Sequence, residues 1–96
     1  MIKLSEHKKK YIVVCRQKTI RQIRSCPRYI QEKFWHLVND LEEKGAIQKG
    51  WSNFSKLDKD IYHCHLDYSW VAVWIWRKGT LEVEVSYVGS REKAPY

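Results

Sequence analysis

Two histidines stand one residue apart in Ile61-Tyr62-His63-Cys64-His65-Leu66, a β-rich run in the last third of the chain. Strand side chains alternate, so His63 and His65 project from one face while Tyr62, Cys64 and Leu66 project from the other. Their separation is about 6–7 Å, the rise of two strand residues, which is enough to straddle one phosphodiester. Imidazole has a reference pKa of about 6.5 and serves as base or acid near neutrality. Cleavage of RNA through its 2′-OH needs such a base, an acid for the leaving oxygen, and a cation for the charge developing on the phosphate. Arg91 is the candidate cation, in the closing run Tyr87-Val88-Gly89-Ser90-Arg91-Glu92-Lys93-Ala94-Pro95-Tyr96. Tyr96 is the candidate positioning or stacking group. Glu84 is a reserve base and Ser86 a hydrogen-bonding group on the histidine face. No metal or cofactor is expected, because the RNA supplies its own nucleophile and alternation points Cys64 away from the two imidazoles. Each residue also has an ordinary reading: histidines on an exposed strand face are often plain polar surface, and a terminal Arg or Lys is usually solvated charge.

Composition narrows the partners. Ninety-six residues form one domain, and 44% hydrophobic content with five Trp argues for a packed globule. The net charge of +7 points to a polyanion or an acidic protein. Residues 1–10 contribute +3 of it and are expected as a mobile basic arm, with a short extra strand as the second choice. Arg16, Lys18, Arg21, Arg24, Arg28 and Lys33, opposed only by Glu32, form the best nucleic-acid-facing stretch, joined by Lys93 in the tail. The same stretch fits the solvated side of an amphipathic hairpin equally well. Three cysteines without paired spacing fit reduced thiols. No apolar run nears the ~20 residues of a membrane span, and the start lacks a signal-peptide core, so a cytoplasmic protein is expected.

The elements that must position these groups follow from periodicity. Tyr11–Cys15 is a β-rich apolar run and the expected first strand. Lys18–Arg24 supports a two-turn helix. A second helix starts at Pro27, carries Ile30, Phe34, Leu37, Val38 and Leu41 on one side, and closes at Lys44-Gly45. Ala46–Asp60 is expected to be irregular. The chain ends in a three-stranded meander with turns at Asp67–Ser69 and Lys78-Gly79. That register sets Leu66 against Trp70, Cys64 against Ala72 and Tyr62 against Trp74. In the second hairpin it sets Trp76 against Leu81, Trp74 against Val83, Ala72 against Val85 and Trp70 against Tyr87. All of these share the core face, and the reverse face keeps His63, His65, Val71, Val73, Ile75, Glu82, Glu84 and Ser86. The Trp70/Trp74/Trp76 stripe is therefore core rather than a base-stacking platform.

This order of elements, with Val88-Gly89-Ser90-Arg91-Glu92 and a terminal Tyr, resembles the RelE/ParE toxin superfamily of toxin–antitoxin pairs from residue 11 to residue 96. The resemblance implies an α+β fold, a twisted antiparallel sheet with two helices on one face. It implies a toxin that acts as a ribosome-dependent mRNA endoribonuclease, or, as in the ParE branch, one that inhibits DNA gyrase by binding. A degenerate toxin-fold protein that only binds its antitoxin is a third reading. The implied partners are a cognate antitoxin and mRNA with ribosomal RNA, or gyrase in the alternative. Arg91 matches the family's Arg after the last strand, which contacts the scissile phosphate, and Tyr96 matches its C-terminal aromatic one residue early. His63 and His65 occupy the place of a lysine pair in RelE, and Val71 the place of an Arg.

Overall fold

The computed structural model of the protein describes residues 1–5 and 10–96. Chain order is β1 (Ile2–Lys3), β2 (Ile12–Cys15), α1 (Gln17–Ser25), α2 (Arg28–Lys44), β3 (Ser55–Asp58), β4 (Ile61–Asp67), β5 (Trp70–Ile75) and β6 (Glu82–Ser90). The expected α+β architecture is present: a single six-stranded sheet, ordered β1-β2-β6-β5-β4-β3, with both helices on one face.

The helical hairpin is set by local chemistry. Pro27 is the N-cap of α2, at φ −53°, so a residue with no N–H stands where a helix leaves donors unpaired. Ile30, Phe34, Leu37 and Leu41 follow at helical spacing and are fully buried. Gly45 ends the helix at φ +81°, and a Cβ there would lie 2.7 Å from Cζ of Tyr11, so both conformation and space require glycine.

Two expectations about the sheet need correction. It is not wholly antiparallel, because β2 runs parallel to β6 in register Ile12↔Glu82 to Cys15↔Val85. The helical hairpin and meander between them carry the chain over the helix-covered face and return it beside β2 in the same direction. The segment expected to be irregular also contributes β3, which pairs with β4 through Ser55↔His63 and Lys56↔Tyr62.

The amino terminus differs as well. Ile2–Lys3 pairs with Val14–Cys15, Leu4 N–H donates to Val13 O (2.7 Å), and Val13 N–H donates to Ser5 Oγ (2.8 Å). Leu4 joins the core, and the free edge of β2 finds partners for its backbone groups. For these five residues the second-choice strand replaces the mobile arm. Glu6, Lys8 and Lys9 lie outside the described residues.

The meander keeps β4 and β5 on their expected faces but not in the expected register, and in β6 it moves Tyr87 to the other face. Cys64↔Ala72 and Tyr62↔Trp74 pair as predicted, whereas a bulge before the tip brings Asp67, not Leu66, opposite Trp70. In the second hairpin Lys78-Gly79 is the turn centre: Thr80 N–H donates to Arg77 O (3.0 Å), and Gly79 sits at φ +92°. Thr80 and Leu81 then loop out before pairing begins, so Trp74 meets Val85 rather than Val83, and Leu81 is 59% exposed rather than in the core. A two-residue shift leaves every side chain on its predicted face. A further bulge between Val73 and Trp74 shifts the ladder by one, giving Ala72↔Val88, Val73↔Tyr87 and Trp70↔Ser90. Val88 thereby takes the core position assigned to Tyr87, and Tyr87 crosses to the histidine face.

Trp74 centres the core between the sheet and α2. It is fully buried, stacks on Phe54 and donates its indole N–H to Ala46 O (3.1 Å). Among the described residues, no helix is long and apolar enough to cross a membrane.

Candidate active site

β4 turns Tyr62, Cys64 and Leu66 into the core and leaves His63 and His65 on the opposite face. His63 is nonetheless buried, at 7% exposure, which corrects the expectation of a solvent-facing imidazole. Three neighbours cover it. β3 brings Ser55 alongside, with Oγ 3.0 Å from His63 Nδ1. The Tyr96 ring stands edge-on at 4.8 Å between centroids, and the His65 ring lies at 5.7 Å. Burial lowers the His63 pKa below that of an ordinary histidine; a hydrogen bond to the Ser55 backbone opposes the shift and the His65 charge adds to it. His63 therefore enters neutral solution as an uncharged imidazole. His65 is only half-buried, and its backbone N–H donates to Ser52 O (2.8 Å).

The tail closes over this strand pair. Arg91 N–H donates to Ser69 O (2.8 Å), tying the end of β6 to the β4–β5 turn. Its guanidinium lies 5.2 Å from the centroid of the exposed Tyr68 ring, a cation–π distance. Partial burial raises the Tyr96 pKa, an effect that the Arg91 charge reduces. The phenol remains a hydrogen-bond donor at neutral pH. Tyr87 arrives on the same face through the bulge, its Oη donating to Ser90 O (2.8 Å) while its ring lies over Gly89. A Cβ on Gly89 would fall 2.7 Å from that hydroxyl.

His63, His65 and Tyr96 thus form one ring cluster, while the Arg91 guanidinium lies against Tyr68 and touches this group only through its charge acting on Tyr96. Glu84 lies outside it, at the level of Ile75, two residues along β5 from the partner of His63, with its carboxylate 3.4 Å from Arg16 Nε. Ser86 uses its Oγ to donate to Val73 O (3.4 Å). Sequence reasoning missed Ser55, Tyr68 and Tyr87. Ser55 lay in the segment expected to be irregular, and Tyr87 was displaced by a bulge that leaves no mark in composition.

The basic stretch does not make one continuous surface. Arg16 turns to Glu84, and Arg28 pairs loosely with Glu32 at 3.9 Å. Lys18 and Arg21 line a groove between α1 and β6 with Lys93. Lys33 faces another cleft beside His65, while Arg24 is exposed near the end of α1. Cys15, Cys26 and Cys64 are all free and buried, and burial raises each thiol's pKa. Among the described residues, no three His, Cys, Asp or Glu side chains converge as a metal site would require.

No protein-family model and no curated protein matches the chain. Solved structures do. The toxin in an archaeal RelE–RelB complex from Pyrococcus horikoshii is similar at TM-score 0.70 and 14% identity, covering 88% of this chain and 99% of that one. An Escherichia coli RelE mutant bound to an antitoxin RelBc peptide is similar at TM-score 0.68 and 15% identity, covering 88% and 86%. A Staphylococcus aureus YoeB dimer is similar at TM-score 0.68 and 10% identity, covering 83% and 95%. The sheet order, the helical hairpin and these superpositions together establish that the chain has the RelE-like toxin fold.

Proposed function

We propose that the protein is the toxin of a toxin–antitoxin pair and an endoribonuclease that cuts mRNA on the ribosome, repressing translation. The supporting observation is the cluster of a neutral buried imidazole, a second imidazole at 5.7 Å and a phenol at 4.8 Å, with the Arg91 charge near enough to offset part of the rise in the Tyr96 pKa. In the tautomer whose Nδ1–H donates to Ser55 Oγ, His63 keeps its Nε2 lone pair for the proton of the ribose 2′-OH. His65, 5.7 Å away, stands as the acid for the departing 5′-oxygen. The 2′-oxygen then bonds phosphorus, the P–O5′ bond breaks, and the products are a 2′,3′-cyclic phosphate and a 5′-hydroxyl. Arg91 neutralises charge on the non-bridging oxygens, and the Tyr96 phenol donates to one of them. An antitoxin is the expected protein partner, as two of the similar structures are complexes with antitoxins. The cell interior is the expected location.

Induced expression tests the reading. Growth arrest with mapped mRNA cuts, lost in Arg91→Ala, supports it. Arrest with DNA-damage signalling and intact mRNA replaces it with gyrase inhibition. Unimpaired growth leaves a fold that only binds an antitoxin.

A further inference from the structure

A cleft of about 860 Å³ opens at the outer edge of β4, between α2 and the segment that follows it, and His65 forms one of its walls. Lys33, His36, Asp40 and Lys44 line the opposite wall at spacings of three and four, one face of α2. Lys49 closes the cleft from the connecting segment, and Ile47 presents an apolar side chain that is 47% exposed.

That connecting segment is rigidly held. Gln48 donates to Asp40 O (3.0 Å) and Gly45 O (2.8 Å), and Trp51 Nε1 donates to Asp40 Oδ2 (2.8 Å). His65 N–H fixes its far end through Ser52 O. Asp40 is the one carboxylate among the described lining residues, and the indole already engages it. Three ammonium groups are left facing a shaped, preorganised space. Such a surface fits phosphates, with Ile47 offering contact for a base.

We infer that this cleft is an RNA subsite, holding the nucleotides next to the cut as the strand leaves His65. The inference rests on the nuclease reading. Continuity with His65 favours RNA over an acidic peptide, because a strand crossing the histidine pair reaches the cleft without a break.

The test measures binding of RNA made uncleavable by a 2′-deoxy sugar at the cut. One oligonucleotide spans only the cut; two others extend it by several nucleotides at the 5′ or the 3′ end. The wild-type protein binds one extended form more tightly than the short one. In Lys33→Ala/Lys49→Ala that advantage falls about tenfold, and the salt slope for the extended RNA becomes about 1.4 shallower, the loss of two phosphate contacts. Equal affinity of the wild type for short and extended RNA, or none for either, overturns the inference. So does a double variant that keeps the advantage, or one that weakens only an acidic antitoxin peptide. The two readings fail separately: a failed cleft leaves wild-type cutting that Arg91→Ala abolishes, whereas a failed nuclease leaves ribosome-bound mRNA uncut by the wild type.

Discussion

At the residue scale, the candidate site combines a buried imidazole, uncharged at neutral pH, with an exposed guanidinium in the segment that follows β6. Arg91 is exposed and holds the fold through its backbone N–H and O, while its guanidinium meets only the exposed Tyr68 ring, so its side chain can be removed without unfolding the domain. Arg91→Ala should cut ribosome-bound mRNA at least about a hundredfold more slowly, the usual loss for an oxyanion-stabilising group, with an unchanged thermal midpoint. Arg91→Lys should recover only part of the rate, because a point charge cannot copy a two-pronged contact with phosphate. His63 gives a pH prediction of definite sign. Its folded pKa lies below the unfolded value of about 6.5, so below that pH the unfolded chain binds a proton that the native chain resists. Stability is therefore full above that pH and declines as the solution is acidified toward the lowered value. Urea midpoints at pH 7.5 and pH 5.5 should show this decline, and His63→Asn should flatten it. Equal slopes in the two proteins would show that the buried imidazole is not its source.

At the element scale, the parts of the fold legible in sequence are those set by local chemistry. The α2 helix follows from Ile30, Phe34, Leu37 and Leu41 at helical spacing, and both hairpin turns lie where Asp67–Ser69 and Lys78-Gly79 put them. Bulges, β3 and the parallel pair were not legible, and β1 only as a second choice, because each depends on a partner set by the tertiary fold. The bulge at Val73/Trp74 exchanges Tyr87 for Val88 in the core, yet an alternating run such as Val83-Glu84-Val85-Ser86-Tyr87 carries no sign of the slip. The faces survived as far as Val85, because the shift after the Lys78-Gly79 turn is an even number of residues, and failed beyond the bulge. Legibility of the site followed the same division: His63 and His65 were found by alternation, whereas Ser55 needed the unforeseen strand β3. Gly45 is where a local signal and a tertiary contact meet. Gly45→Ala strains a positive φ and drives a methyl group into the Tyr11 ring, so it should destabilise the domain by at least about 1 kcal/mol. Chemical denaturation measures that loss, and a wild-type midpoint would mean that Tyr11 moves aside freely.

At the scale of the whole molecule, residues 91–96 pack against a strand that precedes them by some thirty residues. Tyr96 is one of the neighbours that cover His63, and burial is the main cause of the lowered imidazole pKa. The tail is anchored upstream, through Arg91 N–H to Ser69 O and Ala94 N–H to Arg91 O (3.3 Å), so the ring can be lost while the rest of the closure stays in place. Tyr96→Ala should therefore readmit water to His63 and move its pKa back toward 6.5, a shift that NMR titration of the ring protons reads directly. The same change should shift the acid limb of the cleavage rate to higher pH, because the base becomes protonated sooner as pH falls. Tyr96→Phe keeps the cover and loses only the hydroxyl. It should therefore leave the titration in place while slowing cleavage through the missing donor to phosphate. The two variants separate shielding from hydrogen bonding. If His63 titrates identically in wild type and Tyr96→Ala, the ring does not set the state of the imidazole, and Ser55 and His65 must do so alone.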